Sequence, residues 1–221
     1  MKKALAALLA GIMLLALVSC SKPSEEDTSS PYKPQVTEVK EEDKIVYFKD
    51  AVKGDTEQGP VWFYLFDDGS GYKDLYYTEE WGDNWQYSDH PTVDNVYYSI
   101  FDQDDAEGVH QNYVWAGPYG DLNVKIVIGW RAYKDGTAKI GRWDFTAYEY
   151  QAMVNKLDGG IVTILKNREE LFNATTKADG ENIFEGKEVE VKEGDMIFFV
   201  FDGNNLPKAS FLITDLSVEL N

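Results

Sequence analysis

Residues 187–202, KEVEVKEGDMIFFVFD, hold two strand signatures joined by a turn. Glu188-Val189-Glu190-Val191-Lys192 alternates polar and apolar, the period of a strand with one wet face. Glu193-Gly194-Asp195 is a turn, in which glycine is free to take φ > 0. Residues 196–201 are an unbroken apolar and aromatic run, short and bounded by turn residues, which predicts a core strand. Asp202-Gly203-Asn204-Asn205-Leu206-Pro207 breaks it, and residues 210–220 resume a strand pattern. The expectation is the closing edge of an all-β domain.

The same periodicity extends back along the chain. Residues 45–48 and 61–66 read as strands, the second ended by Asp67-Asp68-Gly69-Ser70-Gly71. Residues 72–77 follow, then a loop at 79–90 carrying Trp81, Trp85, Tyr87 and His90, then a strand at 96–101. In 122–130, Leu122, Val124, Ile126 and Ile128 face one way while Asn123, Lys125 and Val127 face the other. Residues 137–145 are expected to return against that strand through Tyr133-Lys134-Asp135-Gly136, where Asp-Gly is a hairpin signal. Residues 161–165 and 170–172 read as a second hairpin. FTAYEYQAMVNK, 145–156, fits a strand extension or a short helix. Short strands at this spacing predict a single antiparallel β-sandwich, jelly-roll-like, over 44–221.

Ahead of that domain, Met1-Lys2-Lys3 and the apolar residues 4–18 have the form of a signal peptide, 1–19. Leu17-Val18-Ser19-Cys20 resembles the lipobox of bacterial lipoproteins, which implies that Cys20 becomes the lipidated N-terminus. Cys20 is the only cysteine, which leaves no disulfide framework, thiolate cluster or catalytic thiol. Residues 20–43 read as an acidic, proline-bearing flexible tether. Its acid cluster loosely resembles the surface-export signals of Bacteroidota lipoproteins, although a solvated spacer is the simpler reading. The expected location is outside the cytoplasm, on the outer membrane or cell surface, with contact to the bilayer through the lipid alone. The net charge of −18 repels a phosphate backbone, so nucleic acid is excluded as a partner.

Enzymatic signatures are sparse. The chain has two histidines, His90 and His110, without metal-ligand spacing, and no Gly-x-Ser-x-Gly, Ser-x-x-Lys or P-loop. Carboxylate pairs for glycoside hydrolysis are not identifiable from spacing alone, so catalysis stays open and a non-catalytic role is favoured. Binding has two candidate constellations. Trp81, Trp85, Tyr87, Tyr113 and Trp115 supply aromatic planes on which the C–H faces of sugars stack, with Asp83, Asn84, Gln86 and Asn112 to meet hydroxyls. The 79–90 loop is the main expectation, with core and ligand roles balanced for Trp81 and Trp85; Trp62, Trp130 and Trp143 are expected in the core. The other constellation is Asp102, Asp104 and Asp105 in FDQDDAEG, whose carboxylates suit a structural Ca²⁺, although the EF-hand pattern fails and a solvated acidic loop fits as well.

Several segments together resemble a family of bacterial secreted β-sandwich domains. They are Gly59-Pro60-Val61-Trp62-Phe63-Tyr64, His110-Gln111, Trp130-Arg131, and Lys134-Asp135-Gly136 through Gly141. Asp158-Gly159-Gly160 with Asn167 and Leu171, and the final strand pair from Val189 to Val200, complete the pattern. Such domains are similar to carbohydrate-binding jelly rolls and accompany polysaccharide-acting enzymes. The resemblance implies a sandwich and a bias towards glycans. Glycan binding through loop aromatics is the leading expectation; a protein-interaction or structural surface domain is the alternative, and a polysaccharide lyase or hydrolase the third.

Overall fold

The computed structural model describes residues 29–35, 38–52, 57–79, 84–88, 99–104, 110–115, 124–149, 155–206 and 209–221, and for 101–104, 110 and 111 the backbone alone. Cys20, Trp81, Asp83, His90 and Asp105 lie outside the described residues. A 3-10 turn, Glu41–Asp43, and a short helix, α1 (Phe48–Val52), precede the strands. The first six are β1 (Trp62–Asp67), β2 (Tyr72–Asp74), β3 (Tyr76–Thr78), β4 (Asn84–Gln86), β5 (Ser99–Asp104) and β6 (His110–Trp115). Next come β7 (Lys125–Arg131), β8 (Gly136–Ile140), β9 (Trp143–Glu149), β10 (Ile161–Lys166) and β11 (Glu169–Thr175). The chain ends with β12 (Ile183–Phe184), β13 (Lys187–Val191), β14 (Met196–Asp202), β15 (Ala209–Thr214) and β16 (Val218–Leu220).

These strands form a six-stranded sheet, β11-β10-β14-β7-β1-β2, a seven-stranded sheet, β12-β9-β15-β6-β5-β4-β3, and a small sheet, β13-β8-β16. All pairings are antiparallel among the described strands. The two large sheets pack face to face, and the all-β sandwich expected from periodicity is the fold. Tyr64 of β1 stacks on Trp85 of β4 at 4.2 Å and 22°. Phe201 of β14 meets Phe211 of β15 at 5.5 Å, and Trp143 of β9 meets Phe199 at 6.0 Å. Trp62, Trp130 and Trp143 are buried in this core, as their strand positions predict.

Three pairings differ from the sequence expectation. Residues 196–201 lie in the middle of a sheet, where β14 has β10 and β7 as neighbours, rather than at a closing edge. Both faces of this strand are apolar and both are covered: Ile197, Phe199 and Phe201 by the main core, and Met196, Phe198 and Val200 by a second cluster on the opposite side. The turn at 193–195 is a corner between sheets: Gly194 takes φ 89°, its N–H donates to the Ala132 carbonyl at 2.8 Å, and β13 departs to the small sheet. Asp195 holds the corner by accepting from the Lys192 N–H at 2.9 Å and from Asn167 Nδ2 at 2.9 Å. Burial acts to raise the Asp195 pKa, but these bonds and the ammonium of Lys166 outweigh it and hold the carboxyl low.

The Asp135-Gly136 turn likewise fails to fold β8 back on β7. Strand β7 is sheathed by β1 and β14, while β8, with exposed Lys139, joins β13 and β16. The Asp135 carboxylate accepts from the Glu193 N–H at 2.8 Å, binding this turn to the corner opposite. At 45–48 the expected strand is reduced to one bridge, Tyr47 to Ser217, before α1 begins. The 161–172 hairpin forms as expected with Asn167 at φ 52°, and 143–149 is strand.

The outer face of the six-stranded sheet is also apolar. Phe63, Leu65, Val127, Met196, Phe198 and Val200 form a second buried cluster with Tyr32. Gly129 lets this cluster close, because a Cβ there would lie 3.3 Å from Phe63 Cβ and 3.4 Å from Met196 Cε. Tyr32 packs edge-on to Phe63 at 5.5 Å and donates its hydroxyl to Asp74 at 2.5 Å. Arg168, at the β10–β11 turn, donates Nε to the Ser29 carbonyl at 3.2 Å. Residues 29–35 therefore lie on the sheet as a strap, which corrects the expectation of a free tether throughout 20–43.

Candidate functional site

The alternation of strand side chains divides the predicted ligand residues between the two faces of the seven-stranded sheet. One register row, Trp85–Ile100–Val114–Phe211–Ala147, points into the core. Trp85 is 2% exposed, stacked on Tyr64 and edge-on to Tyr77 at 5.7 Å, so it presents no face to a ligand. The expected loop around it is strand β4. Tyr87 packs against Phe66 at 4.8 Å, half-buried on the same side. For Trp85 the ligand expectation is corrected, because the indole fills the sandwich; Tyr87 lies half-buried against Phe66 on the core side. Asn112 falls in the row Asp102–Asn112–Ile213, two residues from core Val114, and is buried.

The opposite, outer face gathers the remainder. Its first row runs Tyr76–Gln86–Ser99–Trp115–Ser210–Tyr148 across six strands. The second runs Thr78–Asn84–Phe101–Tyr113–Leu212–Thr146. Asn84 of β4 and Tyr113 and Trp115 of β6 thus share one face of the sheet. Gln86, Ser99 and Ser210 are 0%, 1% and 1% exposed, Trp115 and Tyr148 are half-buried, and Tyr76 at the edge is 48% exposed.

Gln86 is the unusual group on this face. Neither its amide oxygen nor its amide nitrogen has a hydrogen-bond partner, although the side chain is fully buried. The Ser210 hydroxyl, two strands past Ser99 in the same row, is buried and equally without a partner. An unsatisfied buried polar group costs about 1–3 kcal/mol, and folded proteins hold few of them; the indole Nε1 atoms of Trp85 and Trp143 in the core are others here. An amide carries two donors and an acceptor, and a hydroxyl is both donor and acceptor, so the pair suits a ligand rich in hydroxyls. Ser99, Ser210 and Tyr148 escaped the sequence reading; their signal was the alternation beside Ile100, Phe211 and Ala147.

Of the acidic constellation, Asp102 and Asp104 belong to the β5–β6 ladder, opposite Asn112 and His110, rather than to a loop. The ladder continues past Phe101 because β6 offers partners as far as His110. Among the described residues no group of three His, Cys, Asp or Glu side chains could hold a metal ion. A separate cleft of about 460 Å³ is lined by Tyr47, Lys49, Lys139, Arg142, Asp215 and Glu219. Within it Lys49 lies 3.3 Å from Asp215, and Arg142 lies 3.3 Å from Asp144 outside the lining.

No protein-family model matches the chain, and no curated protein matches it. Among solved structures, one described as "CBM4 structure and function" is 14% identical with a TM-score of 0.32, over 55% of this chain and 78% of that one. A family 29 carbohydrate-binding module mutant complexed with mannohexaose is 13% identical with a TM-score of 0.32, over 71% of this chain and 89% of that one. Rabbit GITRL is 18% identical with a TM-score of 0.24, over 42% of this chain and 70% of that one. These likenesses are loose.

Proposed function

We propose that the protein binds glycans, without catalysis, on the outer face of the seven-stranded sheet. It would do so outside the cytoplasm, held to a bacterial membrane by lipid on Cys20. The observation that carries the binding reading is the buried Gln86 amide with neither atom bonded, set in one row with Ser210, Trp115 and Tyr148. Sugar rings stack their C–H faces on the half-buried Trp115 or Tyr148, and ring hydroxyls complete the bonds that Gln86 and Ser210 lack. Stacking gives the contact area, and the polar pair sets orientation.

The test is a titration of the full-length protein, in a detergent without sugar headgroups, followed by tryptophan fluorescence against polysaccharides. A saturable shift is expected, lost in Trp115→Ala with far-UV circular dichroism unchanged. Because Trp115→Ala could disturb β6, Gln86→Leu is the companion variant: it keeps the volume, should fold, and should also lose binding. Retained affinity in a folded Gln86→Leu protein would remove the assignment to this face.

A further inference from the structure

The two central rows of the outer face hold no ionised side chain. Tyr76, Gln86, Ser99, Trp115, Ser210 and Tyr148 form one, and Thr78, Asn84, Phe101, Tyr113, Leu212 and Thr146 the other. The rest of the chain is heavily charged, with 39 acidic and 21 basic residues. We infer that this face selects a neutral glycan, of uncharged sugars, and rejects uronates and sulfated sugars. The inference rests on the glycan reading above and adds the chemical class of the ligand.

A carboxylate or sulfate brought onto these rows would be desolvated beside Gln86 and Ser210 with no cation among the residues of the two rows to pair it, and an unpaired charge in that setting is strongly disfavoured. Among the described residues, the base bridged to the rows is Lys156, opposite Tyr148 at the end of the first row and exposed. In the adjoining row Asp144 stands opposite Thr214 and adds negative charge, already engaged by Arg142 at 3.3 Å. The chain's net charge of −18 repels a polyanion at longer range as well. Amides and hydroxyls both donate and accept, which matches the two-way bonding of sugar hydroxyls; lysine and arginine only donate.

The experiment titrates the full-length protein with a glucan and a mannan, and in parallel with a polygalacturonate and a sulfated glycan. Each titration is run at about 0.01 M and about 1 M NaCl, between which the screening length falls from about 30 Å to about 3 Å. Expected is saturable binding of a neutral polymer whose affinity changes less than about twofold with salt, with no binding of the anionic polymers at low salt. Anionic polymers binding at low salt as well as the neutral ones, or in their place, would overturn the neutral class and leave glycan binding standing. Silence from both classes would overturn the glycan reading and this inference together.

Discussion

The two outer faces of the sandwich are built from the same element, an antiparallel sheet with an aromatic inner side, and finish in opposite ways. On the six-stranded sheet the outer face is Phe63, Leu65, Val127, Met196, Phe198 and Val200, closed by Tyr32. Its polar groups are matched: the Tyr32 hydroxyl meets Asp74, and Lys125 pairs with Asp202 at 3.0 Å. On the seven-stranded sheet the outer face is Gln86, Asn84, Ser99, Ser210, Tyr113 and Trp115, and two of its buried polar side chains are unmatched. The first face is a second core, where burial of apolar area stabilises the fold. The second gives up stability where bonds are missing, as expected of a surface built to hold something else.

The comparison breaks most readily at the apolar face. Phe198→Ala is expected to cost about 3–5 kcal/mol, as for other buried phenylalanines, read as a lower midpoint in urea. A loss below about 1 kcal/mol would mean that this face is not a core. Tyr32→Phe isolates the strap. Removing a hydroxyl bonded to a carboxylate should cost about 1.5–3 kcal/mol while leaving the ring on Phe63, and should make the 29–35 segment more sensitive to limited proteolysis.

Gln86→Leu should act in the opposite sense. Replacing the unbonded amide with an apolar group of similar size should raise stability by up to about 1–3 kcal/mol while abolishing ligand binding. A variant destabilised like Phe198→Ala would show that Gln86 is satisfied in solution. The smallest effect is on alkaline stability. Burial, with the nearby charge of Asp67, pushes the Tyr72 phenol from 10.0 up to about 12, and burial with the bond to Asp74 raises Tyr32 further. A raised folded-state pKa favours the neutral phenol, so this stabilisation is complete below pH 10.0 and is lost as pH rises through about 12. Urea midpoints measured across that range should fall, and Tyr32→Phe should flatten the slope.

The route from sequence to site shows what periodicity carries and where it stops. Alternation identified most of the strands, and the continuous apolar run at 196–201 marked a core strand. It left the partners open, because an apolar strand pairs equally well with any strand that covers it; thus Asp135-Gly136 looked like a hairpin and is a corner. In the candidate site, Asn84, Tyr113 and Trp115 were legible as residue types suited to sugars, and the structure sets them on one face. Trp85 was not separable from them by composition, since a buried and an exposed tryptophan read alike. Its neighbours held the clue: in Asn84-Trp85-Gln86, an aromatic pointing inwards turns both amides outwards.

By itself, the sequence determined the all-β class, the net charge of −18, and the pool of aromatic and amide residues from which a site could be drawn. These follow from local properties: side-chain polarity, the two-residue period and turn chemistry. Only the tertiary structure decided which strands are neighbours, which side of Trp85 is core, that Gln86 and Ser210 are buried without partners, and that Tyr32 folds back onto the sheet. Each depends on contacts between residues distant in the chain, such as the 42-residue separation of Tyr32 and Asp74. Long-range register is selected by the simultaneous burial of many apolar faces, and no single stretch of sequence contains it.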